Sequence, residues 1–169
     1  MSSTSAFGLK LIHPYVGIND SLEAGNYEYV KCSLEWWEKC WEWKKDGDYY
    51  ATRFNYYLNQ SLQSSMHITP ELPLYAYGTS VYTLQDTIEG KATGYMYLGY
   101  RIVDSLRLDS AIHYINLGIK RCPNRLDLYL GLASCYLYCD NHIDMIKTLE
   151  RAMRQSKKNK NQYFTCNYT

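Results

Sequence analysis

Helical spacing dominates the distribution of apolar residues in the first third of this chain. Val30, Leu34, Trp37 and Trp41 recur at intervals of three and four residues, which places them on one face of a helix. The run Asp46-Gly47-Asp48 then interrupts the pattern and supplies an N-cap for a following helix. We therefore predict a second helix, whose apolar side consists of Tyr50, Phe54, Tyr57 and Leu62.

The middle of the chain has a third pattern of this kind, after Pro70 and Pro73 and before Gly90. Intervals of three and four predict a helix that Gly90 would terminate, although Val81 and Tyr82 have high strand propensity. The apolar positions of this predicted helix are Leu74, Tyr77, Val81, Leu84 and Ile88.

Four more helices are predicted, at about 93–107, 109–121, 125–139 and 142–156. The segments between them are only a few residues long, so consecutive helices are expected to run antiparallel. No segment alternates with a period of two for long enough to require a sheet. The predicted fold class is therefore all-α, with about seven helices.

The last four predicted helices repeat with a period of 34 residues. Small residues at Gly99 and Ala133 would let the first helix of each pair approach the second, and Pro123 would end a unit. The pairs related by this shift are Tyr95 and Tyr129, Leu98 and Leu132, Gly99 and Ala133, Ile102 and Tyr136, Ile115 and Leu149, and Gly118 and Ala152.

This pattern resembles the tetratricopeptide repeat (TPR) over residues 92–157. The first copy matches the family at Tyr95, Leu98-Gly99, Ile102, Ala111, Ile115, Gly118 and Pro123. The second copy matches at Tyr129, Leu132-Ala133, Tyr136, Leu149 and Ala152, and departs from the family at Met145 and Lys157.

The resemblance implies a right-handed superhelix of antiparallel helical hairpins. Within one domain, we expect an N-terminal arm or loop at 1–20, degenerate helical hairpins at 21–90, two TPR-like repeats at 91–157 and a basic, aromatic tail at 158–169.

The resemblance also implies a concave groove that binds a partner protein. Its expected lining contains none of the Lys, Arg or Asn residues that would capture a C-terminal carboxylate, so an apolar segment is the expected ligand. Packing of the same side chains against neighbouring helices is the alternative. The lining residues would be Met96, Tyr97, Tyr100, Val103, Leu130, Ser134 and Tyr138.

Composition excludes some classes of protein. The 169 residues include 46% hydrophobic residues and 19 tyrosines, which is too apolar for intrinsic disorder. The 18 basic residues nearly balance 17 acidic ones. The basic helix end at Lys147–Lys160 is expected to be solvated, and nucleic-acid binding is not expected because it would need a broader basic patch with interleaved aromatic residues. The N-terminus lacks a basic leader followed by an apolar run, so we expect a cytoplasmic protein with reduced cysteines and no membrane segment.

The sequence predicts neither enzymatic chemistry nor a cofactor. It contains no phosphate-binding loop and no H-E-x-x-H motif. Cys135, Cys139 and His142 are close in sequence, but a fourth zinc ligand is missing, so no metal site is expected. Trp36, Cys40 and Trp43 form a second apolar stripe on the first predicted helix, which is either sandwiched between elements or a binding face.

The predicted function is a protein–protein interaction scaffold. A dedicated toxin-immunity protein or a secretion chaperone that sequesters one client is an alternative, and an enzyme of unrecognised type is a second alternative. Because the final helix pair lacks a polar capping helix, we also expect it to be covered, either by a second copy in a homodimer through the C-terminal helices or by a partner chain.

Overall fold

The computed structural model describes residues 17–40, 43–71, 81–86 and 90–160. Most of the expected N-terminal arm, most of the C-terminal tail, and the predicted helical residues Trp41, Leu74, Tyr77 and Ile88 lie outside these ranges. In chain order the elements are α1 (Ile18–Glu23), α2 (Tyr27–Cys40), a 3₁₀ turn (Trp43–Lys45), α3 (Gly47–Ser61), β1 (Leu62–Thr69), β2 (Val81–Gln85), β3 (Ala92–Ile102), α4 (Ser105–Arg121), α5 (Leu126–Tyr138) and α6 (His142–Lys158).

The helix α3 lies at the centre of the helical part of the molecule. On one side, the ring of Trp37 from α2 meets that of Tyr49 edge-on at 5.8 Å. On the other side, Gly118 of α4 lies so close to Tyr50 that a Cβ built on the glycine would be 2.6 Å from the Cβ of the tyrosine. A side chain at position 118 would keep α3 and α4 apart, which explains the glycine there.

Helix α5 runs antiparallel to α4, and α6 runs antiparallel to α5. Ile115 of α4 contacts Gly131 of α5, and Asn124, just before α5, accepts hydrogen bonds from Gln155 and Asn159 at the end of α6. The predicted helices at 109–121, 125–139 and 142–156 are therefore confirmed. Helix α4 begins earlier than predicted, because Asp104 caps it by accepting a hydrogen bond from the Arg107 backbone N–H at 3.0 Å.

A three-stranded antiparallel sheet is inserted between α3 and α4. The strand order is β1-β3-β2, with β3 in the centre, and Gly90 in the β2–β3 connection has a φ of +67°, a conformation that glycine adopts without strain. The two ends of the insertion meet, because the Val103 N–H donates to the Ser61 carbonyl at 2.9 Å. The inserted sheet therefore leaves the helical body after Ser61 and returns to it at Val103, directly beside the point where it left.

The all-α prediction is therefore wrong, although the described part is mostly helical. The predicted helix at 93–107 is strand β3 as far as Ile102, and the described part of the predicted helix at 74–88 contains strand β2. Every residue from Tyr95 to Tyr100 is apolar, aromatic or glycine, so this segment fits both a helical and a strand period. Strand propensity of the tyrosines and the helical cost of two glycines, about 1 kcal/mol each, favour the strand once β1 and β2 pair with it.

The repeat-packing residues are consequently divided between two kinds of structure. Tyr95, Leu98, Gly99 and Ile102 lie on β3 rather than at a helix crossing, so the predicted role of Gly99 in helix packing is wrong. Among the small repeat residues, Gly118 is the one that lies at a close helix contact, where it approaches α3. Ala111, Ile115, Gly118, Tyr129, Leu132, Ala133 and Ala152 are buried in the helical body, whereas Tyr136 is half-buried, Leu149 is 37% exposed and Pro123 is exposed.

Candidate functional site

The sheet has one face that carries a continuous set of exposed apolar side chains. Side chains alternate between the faces of a strand, and the register places Met66 opposite Leu98, and both Ile68 and Tyr82 opposite Met96. We call this surface the apolar face and define it by the six exposed residues Met66, Ile68, Tyr82, Leu98, Tyr100 and Ile102.

The extent of the apolar face distinguishes it from ordinary exposed hydrophobic residues. Its six side chains are between 44% and 69% exposed. They cluster on one face of paired strands instead of standing singly on the surface. A contiguous exposed apolar patch of this kind is typical of an interaction site.

The opposite face of the sheet is more closely packed and more polar. His67 stacks on Tyr97 with ring centroids 5.2 Å apart, and its imidazole fills the space that a Cβ on Gly99 would need, 2.8 Å away. The Ser65 hydroxyl lies 2.7 Å from Nε2 of His67. The neighbouring in-register residues of this face include Gln63 and Arg101 but no carboxylate, so the described sheet supplies no acid to orient the imidazole for nucleophilic catalysis.

One helix extends the apolar face beyond the sheet. On α5, Tyr138 is 41% exposed, and its ring lies 4.9 Å from that of Tyr100. Leu130 and Ser134 are exposed on the same side of α5 at intervals of four residues, and Leu130 is about 12 Å from Tyr138 along the helix axis. The structure thus joins the strand part and the helix part of the predicted binding surface at the Tyr100–Tyr138 contact.

The predicted lining residues do not form a groove between helices, because three of the seven lie on β3. Met96 and Tyr100 belong to the same face of β3, Tyr97 belongs to the opposite face, and Val103 follows the strand and is 51% exposed. The expectation of one helical concave surface at these positions is therefore wrong. A flatter surface made of a sheet and one helix takes its place.

Of the six residues of the apolar face, the sequence interpretation placed only Tyr100 on the binding surface. It assigned Leu98 and Ile102 to repeat packing and missed Met66, Ile68 and Tyr82. A signal for two of them was present, because Ser65, Met66, His67, Ile68 and Thr69 alternate between polar and apolar residues. Such alternation over a short segment is typical of a half-exposed strand. Tyr82 lies in a segment of high strand propensity, but only the pairing of β2 with β3 brings it onto this face.

Cys135 and Cys139, at the C-terminal end of α5, form a hydrogen-bonded pair of thiols. Buried Cys135 donates a hydrogen bond to Cys139, which raises the pKa of Cys135 and lowers the pKa of Cys139. Nε2 of His142 lies 2.8 Å from the Asp140 carboxylate. Among the described residues, no three His, Cys, Asp or Glu side chains are placed to hold a metal ion.

A shallow polar cleft of about 190 Å³ lies between α4, α5 and α6. Its charged side chains are engaged within the cleft, since Lys147 lies 2.8 Å from Asp144 and Arg151 donates to Asn116 at 3.2 Å. The charged side chains of the cleft are therefore already paired with polar groups of the cleft itself. It is lined by Asn116, Leu132, Tyr136, Asp144, Lys147, Thr148 and Arg151.

The tryptophan stripe of the N-terminal helices is divided between core and surface. Trp43 is half-buried and packs against Tyr49 with ring centroids 4.8 Å apart, whereas Trp36 is 40% exposed. The side chain of Cys40 lies outside the described residues. Trp43 is therefore sandwiched against α3, and the stripe is not one continuous binding face.

No family model matches this chain, and no curated protein or solved structure matches it either. In the part of the chain that the structure describes, no helix is both long enough and apolar enough to cross a membrane.

Proposed function

We propose that this protein is an interaction module that binds an apolar segment of a partner protein on the apolar face of its sheet. The observation that carries this proposal is the set of six exposed apolar side chains, 44–69% exposed, on one face of three paired strands. Burying them would contribute about 25 cal/mol for each Å² removed from water.

The tyrosines of this surface would orient the bound segment. Tyr82, Tyr100 and Tyr138 combine a large apolar ring with a hydroxyl that can donate or accept a hydrogen bond. Aromatic residues of this kind are the usual energetic centres of protein interfaces. The contact between the rings of Tyr100 and Tyr138 supports a binding surface that runs from the sheet onto α5.

The helical body would act as a rigid scaffold for this surface. We propose that it is a TPR-like right-handed superhelix, in which α3 and α4 form one hairpin and α5 and α6 form the next. Support comes from the close approach of Gly118 to Tyr50 and from the burial of Ala133 and Ala152. The sheet would then occupy the connection between the two helices of the first hairpin.

Affinity capture with matched variants tests the proposed function. The bait carrying Leu98→Asp and Tyr100→Asp places two charges on the apolar face, whereas the control Thr83→Asp places one on an exposed residue of the opposite face. Quantitative mass spectrometry should find partners that bind wild-type protein and the control equally and lose at least tenfold with the double variant. Circular dichroism and thermal unfolding establish that all three baits are folded.

A partner found in this way should then bind in isolation. An apolar peptide from it should bind wild-type protein and the control with the same Kd in calorimetry, and Tyr100→Asp with Tyr138→Asp should weaken that binding at least tenfold. Equal binding of wild-type protein and the folded variants would show that the apolar face is not the binding surface.

A further inference from the structure

The two outer edges of the sheet differ in how well they are protected from pairing with another strand. In the described sheet, β1 pairs with β3 on one side only. Its eight residues, Leu62–Thr69, form an unbroken register with β3. The strand contains no charged residue, proline or glycine, so it lacks the usual features that prevent edge-to-edge association.

The other edge, β2, has such features. It is only five residues long, its register with β3 shifts between Leu84 and Gln85, and the charged residue Asp86 follows it directly. Short length, irregular pairing and charge each discourage the addition of a strand. The open edge of the sheet is therefore β1.

We infer that two copies of this chain associate through antiparallel pairing of their β1 strands, which would join the two sheets into one of six strands. When β1 is paired with its own copy about Ser65, Leu62 lies opposite Ile68 of the second copy and Ser64 lies opposite Met66 of the second copy. Apolar residues then stay on the same face, because residues directly opposite each other share a face of the sheet.

The properties of β1 favour a second copy as the occupant of this edge. Because the strand is uncharged, self-pairing brings no like charges together. Met66 and Ile68 are 63% and 69% exposed, and the paired strands would place Met66 diagonally opposite Met66 of the second copy and Ile68 opposite its Leu62. This inference does not depend on the proposed partner binding.

Sedimentation and light scattering across a micromolar concentration range test this inference. Wild-type protein should reach twice its 19.8 kDa chain mass as concentration rises. Ser64→Lys places a charge on an exposed edge residue and should raise the dimer Kd about tenfold. Thr83→Lys adds the same charge to the opposite edge strand and should leave the Kd unchanged, and circular dichroism establishes that both variants are folded.

Hydrogen exchange locates the contact independently of the variants. The β1 amides that point away from β3 should be protected in concentrated wild-type protein and should exchange rapidly in dilute protein or in Ser64→Lys. A concentration-independent monomer would overturn the inference. A dimer that Ser64→Lys leaves intact, with β1 amides still exchanging rapidly, would overturn it as well. Protection of β1 only when a peptide of another protein is added would also contradict pairing between copies.

Discussion

The helical body and the inserted sheet use similar apolar residues in opposite ways. Ile115 of α4 is 1% exposed, whereas Leu98 of β3 is 56% exposed. In the body, apolar side chains from consecutive antiparallel helices pack against one another. In the sheet, the strands are joined by backbone hydrogen bonds, and one set of apolar side chains remains in contact with water. The comparison separates the part of the molecule that stabilises the fold from the part that is available for binding.

The two regions also differ in the range of the interactions that define them. Helices α3, α4 and α6 each begin at a residue whose own side chain accepts a backbone hydrogen bond: Asp46, Asp104 and Asn141. These caps act over two or three residues. The sheet instead depends on pairing between segments about 30 residues apart, such as Met66 with Leu98.

Removing the sheet is the most severe test of this separation. Replacement of 62–102 by a short Gly/Ser loop should abolish partner binding and self-association while α3–α6 still fold, because Ser61 and Val103 are already hydrogen-bonded. Shortening the connection about tenfold recovers ~2 kcal/mol of loop-closure entropy, which offsets the packing that the deletion removes at the junction. Helical circular dichroism and cooperative urea unfolding measure the outcome. A variant that unfolds without cooperativity would show that the sheet is part of the core.

Truncation of one apolar side chain in each region compares their contributions to stability. Ile115→Ala should lower the free energy of unfolding by about 2–5 kcal/mol, because it leaves a cavity in the buried core. Leu98→Ala should change it by less than about 0.5 kcal/mol, because more than half of that side chain is already in water. Urea unfolding measures both values. Equal losses would mean that the apolar face is covered in the folded protein.

Two glycines of the body sharpen the packing argument. In Gly118→Ala, the new Cβ would lie 2.6 Å from Cβ of Tyr50, which cannot move without its backbone, so a net destabilisation of about 1–3 kcal/mol is expected. In the matched control Gly131→Ala, the nearest atom is the Ile115 terminal methyl at 3.1 Å, which can rotate away. The helix propensity of alanine, about 1 kcal/mol better than that of glycine, should then compensate. Urea unfolding that ranks Gly131→Ala as the more damaging change would refute the proposed α3–α4 contact.

The smallest predicted effect concerns pH and the first turn of α6. The ammonium group of Lys147, 2.8 Å from the Asp144 carboxylate, lowers the pKa of Asp144, and the Asn141 amide contributes to the same shift. Because the pKa is lower in the folded state, the stabilisation is present above the ordinary pKa of an aspartate and is lost as pH falls through the folded value. Asp144→Asn should therefore be slightly less stable than wild-type protein at pH 7 and equally stable near pH 2. A difference that persists in urea unfolding at pH 2 would exclude this origin.

The candidate site could be predicted from the sequence only in part. Tyr100, Leu130 and Tyr138 are predicted lining residues, and the structure shows all three to be exposed. It also brings Tyr100 and Tyr138 into contact. The assignment of these residues to a helical groove failed because a helix was predicted for the segment that contains Tyr100. The spacing of Tyr95, Leu98 and Ile102 matches a helical period, although the three residues lie on a strand. Met66 and Ile68 were missed because β1 follows α3 without an intervening loop.

The sequence by itself determined the helices α2, α3, α5 and α6, the greater part of α4 and the antiparallel order of α4, α5 and α6. Helical periodicity, caps and short connections act within a few residues and leave a local record. Only the tertiary structure decided that 92–102 is a strand and that its apolar side chains are exposed. An almost uniformly apolar segment fits both periods, and its conformation is set by hydrogen bonds to β1 and β2, which no local pattern encodes.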